Sequence, residues 1–229
     1  MTDSGLPWRG AAYEGPTLAA LLRCCTPEVT TFFDIGANFG YYSYYLLHNA
    51  PALVIYRFEP NPKNYALMLD AKLRNGWVHF YPQNIGLGDA EAVLPLHLGA
   101  RDRDSGHATF VGANAAGEGA GLTARVTCFD TWTAEQGLAL PSTPQWIAKI
   151  DVEGFEMHVL HGMRRALEQR AFAAICIEMI THSLQGGGVS TQQVATFFAD
   201  CGYQPFDEAL EPTTVSPDEF RNVFFLPTS

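Results

Sequence analysis

Short apolar runs alternate along this chain with longer segments whose apolar residues recur at helical spacing. Residues 30–35 read as a strand, and "YYSYYLLHNA" after them as a helix. "LVIYRFEP" is a strand stopped by Pro60. Residues 62–75 form a helix opened by Pro62 and closed at Asn75-Gly76. "VHFYPQNIG", "QWIAKIDVEG" and "FAAICIEMI" are further strands, the last two separated by the helical segment "FEMHVLHGMRRALEQR". "STQQVATFFADCG" is a helix with Ser190 or Thr191 as N-cap and Gly202 as C-cap, and "NVFFLP" is a last strand. Such alternation predicts an α/β, doubly wound fold, a parallel sheet with helices on both faces.

One segment breaks the rhythm. Residues 86–128 are rich in Gly and Ala and lack helical periodicity, so they are expected to form a short antiparallel excursion with a loop at about 99–124. Gly106, Gly112, Gly117, Gly119 and Gly121 make 105–121 a lid over the site. Residues 30–229 are read as a single domain, and residues 1–29 as an N-terminal segment in which Trp8 and Tyr13 either cap the site or pack.

Composition narrows the class without naming a function. Of the 229 residues, 47% are hydrophobic and 17% charged, enough apolar surface for one sizeable core. No apolar run approaches ~20 residues, so no membrane span is expected. The first residues lack the basic start and apolar stretch of a secretion signal, so the expected location is cytoplasmic. Cys24, Cys25, Cys128, Cys176 and Cys201 contain no C-x-x-C pair and read as free structural thiols. A net charge of −10 argues against a nucleic-acid partner, and the sequence assigns no oligomeric state.

The chemistry gathers at the strand ends, where doubly wound sheets bind ligands. The first strand ends in Asp34 and the turn Gly36-Ala37-Asn38-x-Gly40, and the second in Glu59-Pro60-Asn61. The next end in Asn84-Ile85-Gly86, in Asp151-Val152-Glu153-Gly154, and in Glu178 with His182 just beyond. Glu59 follows the glycine turn by about 20 residues, the spacing at which a carboxylate reaches both hydroxyls of a bound ribose. A dinucleotide site would want G-x-G-x-x-G, and Asp34 would repel a pyrophosphate. An acid there suits a cofactor with a cationic end and no phosphate, such as S-adenosylmethionine. A nicotinamide-dependent oxidoreductase and a non-catalytic nucleoside-binding domain are the competing readings.

"FFDIGANFGYYS", "YRFEPNP", "NIGLGD", "KIDVEGFEMHVLHGM" and "ICIEM", in this order, resemble the FkbM family of class I S-adenosylmethionine-dependent methyltransferases. The resemblance covers residues ~30–180 and extends in plan to the end. It implies a seven-stranded sheet with an antiparallel last strand, and methylation of a hydroxyl on a natural product, sugar or lipid. It also implies roles. Gly36, Ala37 and Gly40 let the backbone approach the methionine part, and Asn38 takes a left-handed conformation. Asp34 holds the ammonium directly or through water, Glu59 with Pro60 and Asn61 takes the ribose, and Asn84 with Ile85 lines the adenine.

By the same resemblance Asp151 is expected at the methyl group, as are acids ending the fourth strand in similar enzymes, with Glu153 capping the following helix and Glu156 on the helix surface or in the cap. Lys149 must reach solvent or pair with a carboxylate. Asp151 and Glu178 resemble the magnesium-holding pair of catechol-type methyltransferases, but so few oxygen ligands assign no metal. His182 is the first candidate for the base that removes the acceptor proton, Asp151 the second. His158 and His161 are expected on the helix surface or in packing.

Overall fold

The computed structural model describes residues 14–98, 108–111 and 121–228. Trp8, Tyr13, Gly106, Gly112, Gly117 and Gly119, with most of the expected lid, lie outside the described residues.

The main sheet has seven strands in the order β3-β2-β1-β7-β8-β10-β9. They are β1 (Thr31–Ile35), β2 (Val54–Phe58), β3 (Phe80–Gln83), β7 (Trp146–Ile150), β8 (Phe172–Ile180), β9 (Tyr203–Phe206) and β10 (Phe220–Pro227). The pairs β1–β2, β2–β3, β1–β7 and β7–β8 are parallel, and β10 runs antiparallel to both β8 and β9. The doubly wound, mostly parallel sheet with an antiparallel last strand is therefore present. β9 escaped the sequence reading because it is four residues long and contains Pro205, a residue that marks edge strands.

Alternate residues of the central strands enter opposite cores. Phe33, Ala148, Ile175 and Phe225 face one side, packed by α4 (Phe129–Glu135), α5 (Glu156–Gly162), α6 (Arg164–Glu168) and α8 (Thr191–Asp200). Phe32, Ile147, Cys176 and Phe224 face the other, packed by α1 (Gly15–Cys24) and α2 (Tyr41–Asn49). This explains the unbroken apolar runs, since both faces of each strand are buried. The segment expected as one helix over 155–170 is broken at Met163 into α5 and α6.

Local signals set the ends. In α3 (Pro62–Asn75) the Asn61 side chain accepts from Lys63 N at 3.0 Å, and Gly76 ends the helix at φ +65. Ser190 and Gln193 form a capping box on α8, which closes at Cys201 with Gly202 following at φ +81. The irregular segment supplies a three-stranded sheet, β4 (Gly86–Leu87), β6 (Thr123–Thr127) and β5 (Ala92–Pro95), in the order β4-β6-β5. Its β5–β6 pair is the expected antiparallel excursion. Among the described residues no helix is long and apolar enough to cross a membrane.

Candidate active site

The turn after β1 is built from left-handed residues, Gly36 at φ +78, Asn38 at φ +48 and Gly40 at φ +87. Space forces glycine at its two ends. A Cβ on Gly36 would stand 1.8 Å from the Asp151 carbonyl oxygen, and one on Gly40 would stand 1.4 Å from an Arg57 guanidinium nitrogen. Gly36 N and Ala37 N both donate to Phe58 O at 3.0 Å, which draws the turn across the end of β2. The Asn38 side chain accepts from Asn64 of α3 at 2.9 Å.

Glu59, 3% exposed, lies at the centre of this arrangement. Its Oε2 accepts from Asn38 N and its Oε1 from Asn61 N, both at 2.7 Å. Each carboxylate oxygen retains acceptor capacity after one such bond. Burial pushes the carboxyl up to about 7 against the lowering effect of those two N–H groups. Asn84 Nδ2 donates to the carbonyls of Glu59 at 2.9 Å and Pro60 at 3.1 Å, so its Oδ1 remains an acceptor.

Beneath the turn lies a charged layer inside the sheet. Asp34 on β1 stands in register with Arg57 on β2 and Lys149 on β7. It is 2% exposed and accepts a hydrogen bond from the Ser43 hydroxyl of α2. Burial raises its pKa, opposed by Arg57, Ser43 and Lys149. The Arg57 guanidinium finds no hydrogen-bond acceptor among the described residues and rests on the rings of Tyr44 and Phe80, 4.7 and 4.8 Å from their centroids.

A second group of charges stands where β7 and β8 end. Asp151, Glu153 and Glu178 each bring one carboxylate oxygen to within 4.8 Å of the others. The Lys149 ammonium lies 3.5 Å from Asp151 Oδ2 and donates to Ile150 O at 3.2 Å. Burial opposes the charge of Lys149, yet the nearby acids Asp151, Glu178 and Glu14 hold its pKa above the ordinary lysine value. Lys149 thus pairs with a carboxylate, one of the two outcomes expected for it. Burial, then the Asp151 charge, pushes Glu178 up to about 8. The lysine supplies one positive charge to this group of three acids.

Among the described residues no side chain caps the start of α5, neither Glu153 nor Glu156; Glu156 is buried, not on the helix surface, and ties down the turn that precedes the helix. Glu156 is 2% exposed, and its Oε1 accepts from Val152 N at 3.3 Å and Gly154 N at 3.2 Å. Glu153 sits at φ +52 and accepts from Ser183 Oγ at 3.3 Å. His182 is exposed in α7 (Thr181–Gly186), directly after β8. His158 bonds Asp89 at 3.0 Å on the surface, and His161 packs edge-on against Phe197.

The turn, Glu59 and Asp151 open onto one cleft. Gly36, Asn38, Glu59, Pro60 and Asp151 line it, together with Gly86, Leu87, Ala108, Phe110, Val152, Glu153 and Phe155. A family model described as the methyltransferase FkbM domain matches residues 34–205, well over half of the chain. The chain belongs to the FkbM methyltransferase family.

The fold is shared with solved structures of low sequence identity. The methyltransferase FkbM from Methylobacillus flagellatus KT is 16% identical, with a TM-score of 0.54 over 87% of this chain and 44% of that one. The bifunctional kinase-methyltransferase WbdD is 13% identical, with a TM-score of 0.51 over 99% of this chain and 43% of that one. The chain spans less than half the length of either protein. No curated protein matches it in sequence.

Against this FkbM framework, the sequence-derived candidates divide by position. Ala37 and Gly40 shape the turn, Asn61 N donates to Glu59, Asn84 and Ile85 follow β3, and Asp34 lies under the turn without lining the cleft. His182 is not among the lining residues. Sequence reasoning missed Phe110 and Phe155. Phe110 stood out only as a lone aromatic in the Gly- and Ala-rich segment, while Phe155 adjoined the acidic strand end.

Proposed function

We propose that the chain transfers the methyl group of S-adenosylmethionine to a hydroxyl oxygen of a small molecule, a natural product, sugar or lipid. The carrying observation is Glu59, a buried carboxylate fixed by two backbone N–H groups at the rim of the cleft. Its remaining lone pairs suit the two adjacent hydroxyls of a ribose, and its fixed geometry spares the ordering cost of binding. Asn84 Oδ1 then offers an acceptor to the adenine amine, with Ile85 alongside. Gly36, Ala37 and Gly40 bring backbone close to the amino-acid end. Asp34, at 2% exposure, acts on an ammonium through an intervening group.

When bound, the cofactor supplies an electrophilic methyl group on a sulfonium. The chain has to align the acceptor, exclude water and take one proton. Asp151 lines the cleft and is the proton acceptor in this reading; His182, exposed just beyond β8, is the alternative. The acids Asp151, Glu153 and Glu178 disfavour a phosphorylated acceptor and suit a neutral hydroxylated one. The net charge of −10 points the same way, away from nucleic acid. Five free cysteines suit a reducing compartment such as the cytoplasm.

Incubation with methyl-labelled S-adenosylmethionine and a panel of hydroxylated acceptors tests the reading. Label in a product stable to alkali, as an ether is, is expected. Label confined to an amine or an alkali-labile ester would replace the hydroxyl reading with another acceptor class.

A further inference from the structure

Phe110 belongs to the short described segment 108–111, and its ring lies directly on the backbone of the cleft floor. A Cβ on Gly86 would stand 2.5 Å from Phe110 Cε2, so Gly86 is the residue that lets the ring approach. On its other side Phe110 meets Phe155, centroid to centroid 5.3 Å, and Phe155 stacks on His158 at 4.2 Å. Phe110 and Phe155 both line the cleft that Glu59 and Pro60 also line, and together they form an aromatic part of its wall.

The segment is tied down on two sides. Thr109 Oγ1 donates to Glu153 O at 2.8 Å and accepts from Val111 N at 3.0 Å. The backbones of Thr109 and His97 exchange two hydrogen bonds of 2.9 Å. The carbonyl that receives Thr109 is on the left-handed residue Glu153, two positions after Asp151. An aromatic side chain that packs on Gly86 and Phe155 is thereby also held by hydrogen bonds of its own segment while lining the cleft.

We propose that Phe110 is a cofactor-binding residue whose ring covers the adenine, held in place by the Thr109 bond to the Glu153 carbonyl. This rests on the cofactor reading above. With the ribose on Glu59, the base extends past Pro60 toward the Phe110 ring, which itself covers Gly86. Every purine has a π-face, so such a contact adds affinity without demanding hydrogen-bond matching. The tie to Glu153 joins the adenine cover to the strand end that carries Asp151.

Calorimetric titration of S-adenosylhomocysteine into the wild-type chain and into Phe110→Tyr, Phe110→Leu and Phe110→Ala tests the proposal, with thermal unfolding as the folding control. Phe110→Tyr should bind like the wild type. Phe110→Leu, which keeps apolar bulk over Gly86, and Phe110→Ala should each bind on the order of tenfold more weakly, the scale of one base–aromatic stack. Free adenosine should lose affinity by a similar factor, and Thr109→Val should release S-adenosylhomocysteine faster in stopped-flow measurements. Wild-type-like or tighter binding by a folded Phe110→Leu variant would overturn the proposal, since the ring would then be filler or an obstruction. Failure of the wild-type chain to bind S-adenosylhomocysteine would overturn the cofactor reading and this proposal with it.

Discussion

Asn38 N lies 2.7 Å from Glu59 Oε2, so the turn after β1 and the acid after β2 form one hydrogen-bonded unit. The same carboxylate takes Asn61 N, the amide of the α3 N-cap residue. Removing Glu59 therefore affects two things, the ribose acceptor and the shape of the turn.

Glu59→Ala should weaken S-adenosylhomocysteine binding by about 1.5–3 kcal/mol, the range for hydrogen bonds to a charged group. Calorimetry on the folded variant checks this, and unchanged affinity would remove Glu59 from the ribose.

Glu59 accepts ribose bonds best when ionised, and its carboxyl is held near 7. Affinity for S-adenosylhomocysteine should therefore rise as pH increases from 6 to 8 and then level off. A flat profile in the wild type would mean that Glu59 is ionised throughout or does not touch the ligand.

Stability of the ligand-free protein should move the opposite way. Glu59 and Glu156 are raised to about 7 and Glu178 to about 8, so the folded state binds more protons than the unfolded state between the ordinary glutamate value and those values. The stabilisation is complete below about 4.5 and is lost as pH rises through 7 to 8. The urea midpoint should fall between pH 5.5 and 8.5. Glu156→Gln keeps the oxygen that accepts from Gly154 N and should flatten the slope; a midpoint that climbs over this range contradicts the assignment.

Gly40→Ala tests the charged layer under the turn. The new methyl group collides with the Arg57 guanidinium, and φ +87 is unfavourable for alanine, so a loss of about 2 kcal/mol or more is expected. In the background Arg57→Met the collision term should shrink and leave the backbone term, a non-additivity visible in a urea double-mutant cycle. Strict additivity would mean that the two residues do not meet.

Asp151→Asn should slow single-turnover methyl transfer by on the order of 10²-fold, with cofactor affinity nearly unchanged. His182→Asn should stay within a few-fold of the wild type. The reverse pattern would move the proton to His182.

The parts of the molecule readable from sequence are those governed by local rules. Buried parallel strands appear as apolar runs ending in polar residues, and Pro62, Gly76 and Ser190 mark helix ends by their own backbone chemistry. Glu59 was legible because its spacing from the glycine turn carries meaning. The register that sets Asp34 beside Arg57 and Lys149 was not, because it depends on three strands distant in sequence. Gly40 illustrates the same limit: it reads as a turn residue, while half of its reason is the side chain of Arg57. Phe110 reaches the cleft through a bridge to His97 and a bond to Glu153, neither of which leaves a periodic trace. α1 was passed over although Pro16, Leu18 and Leu21 spell a helix start and a buried face, because ten residues show little periodicity by themselves.

The most direct test of the central claim is a pair of calorimetric titrations on the wild-type chain, one with S-adenosylhomocysteine and one with NAD. The account predicts saturable one-to-one binding of S-adenosylhomocysteine, weakened in Glu59→Ala, and no heat of binding with NAD. Binding of NAD in preference, or of neither ligand, would contradict it.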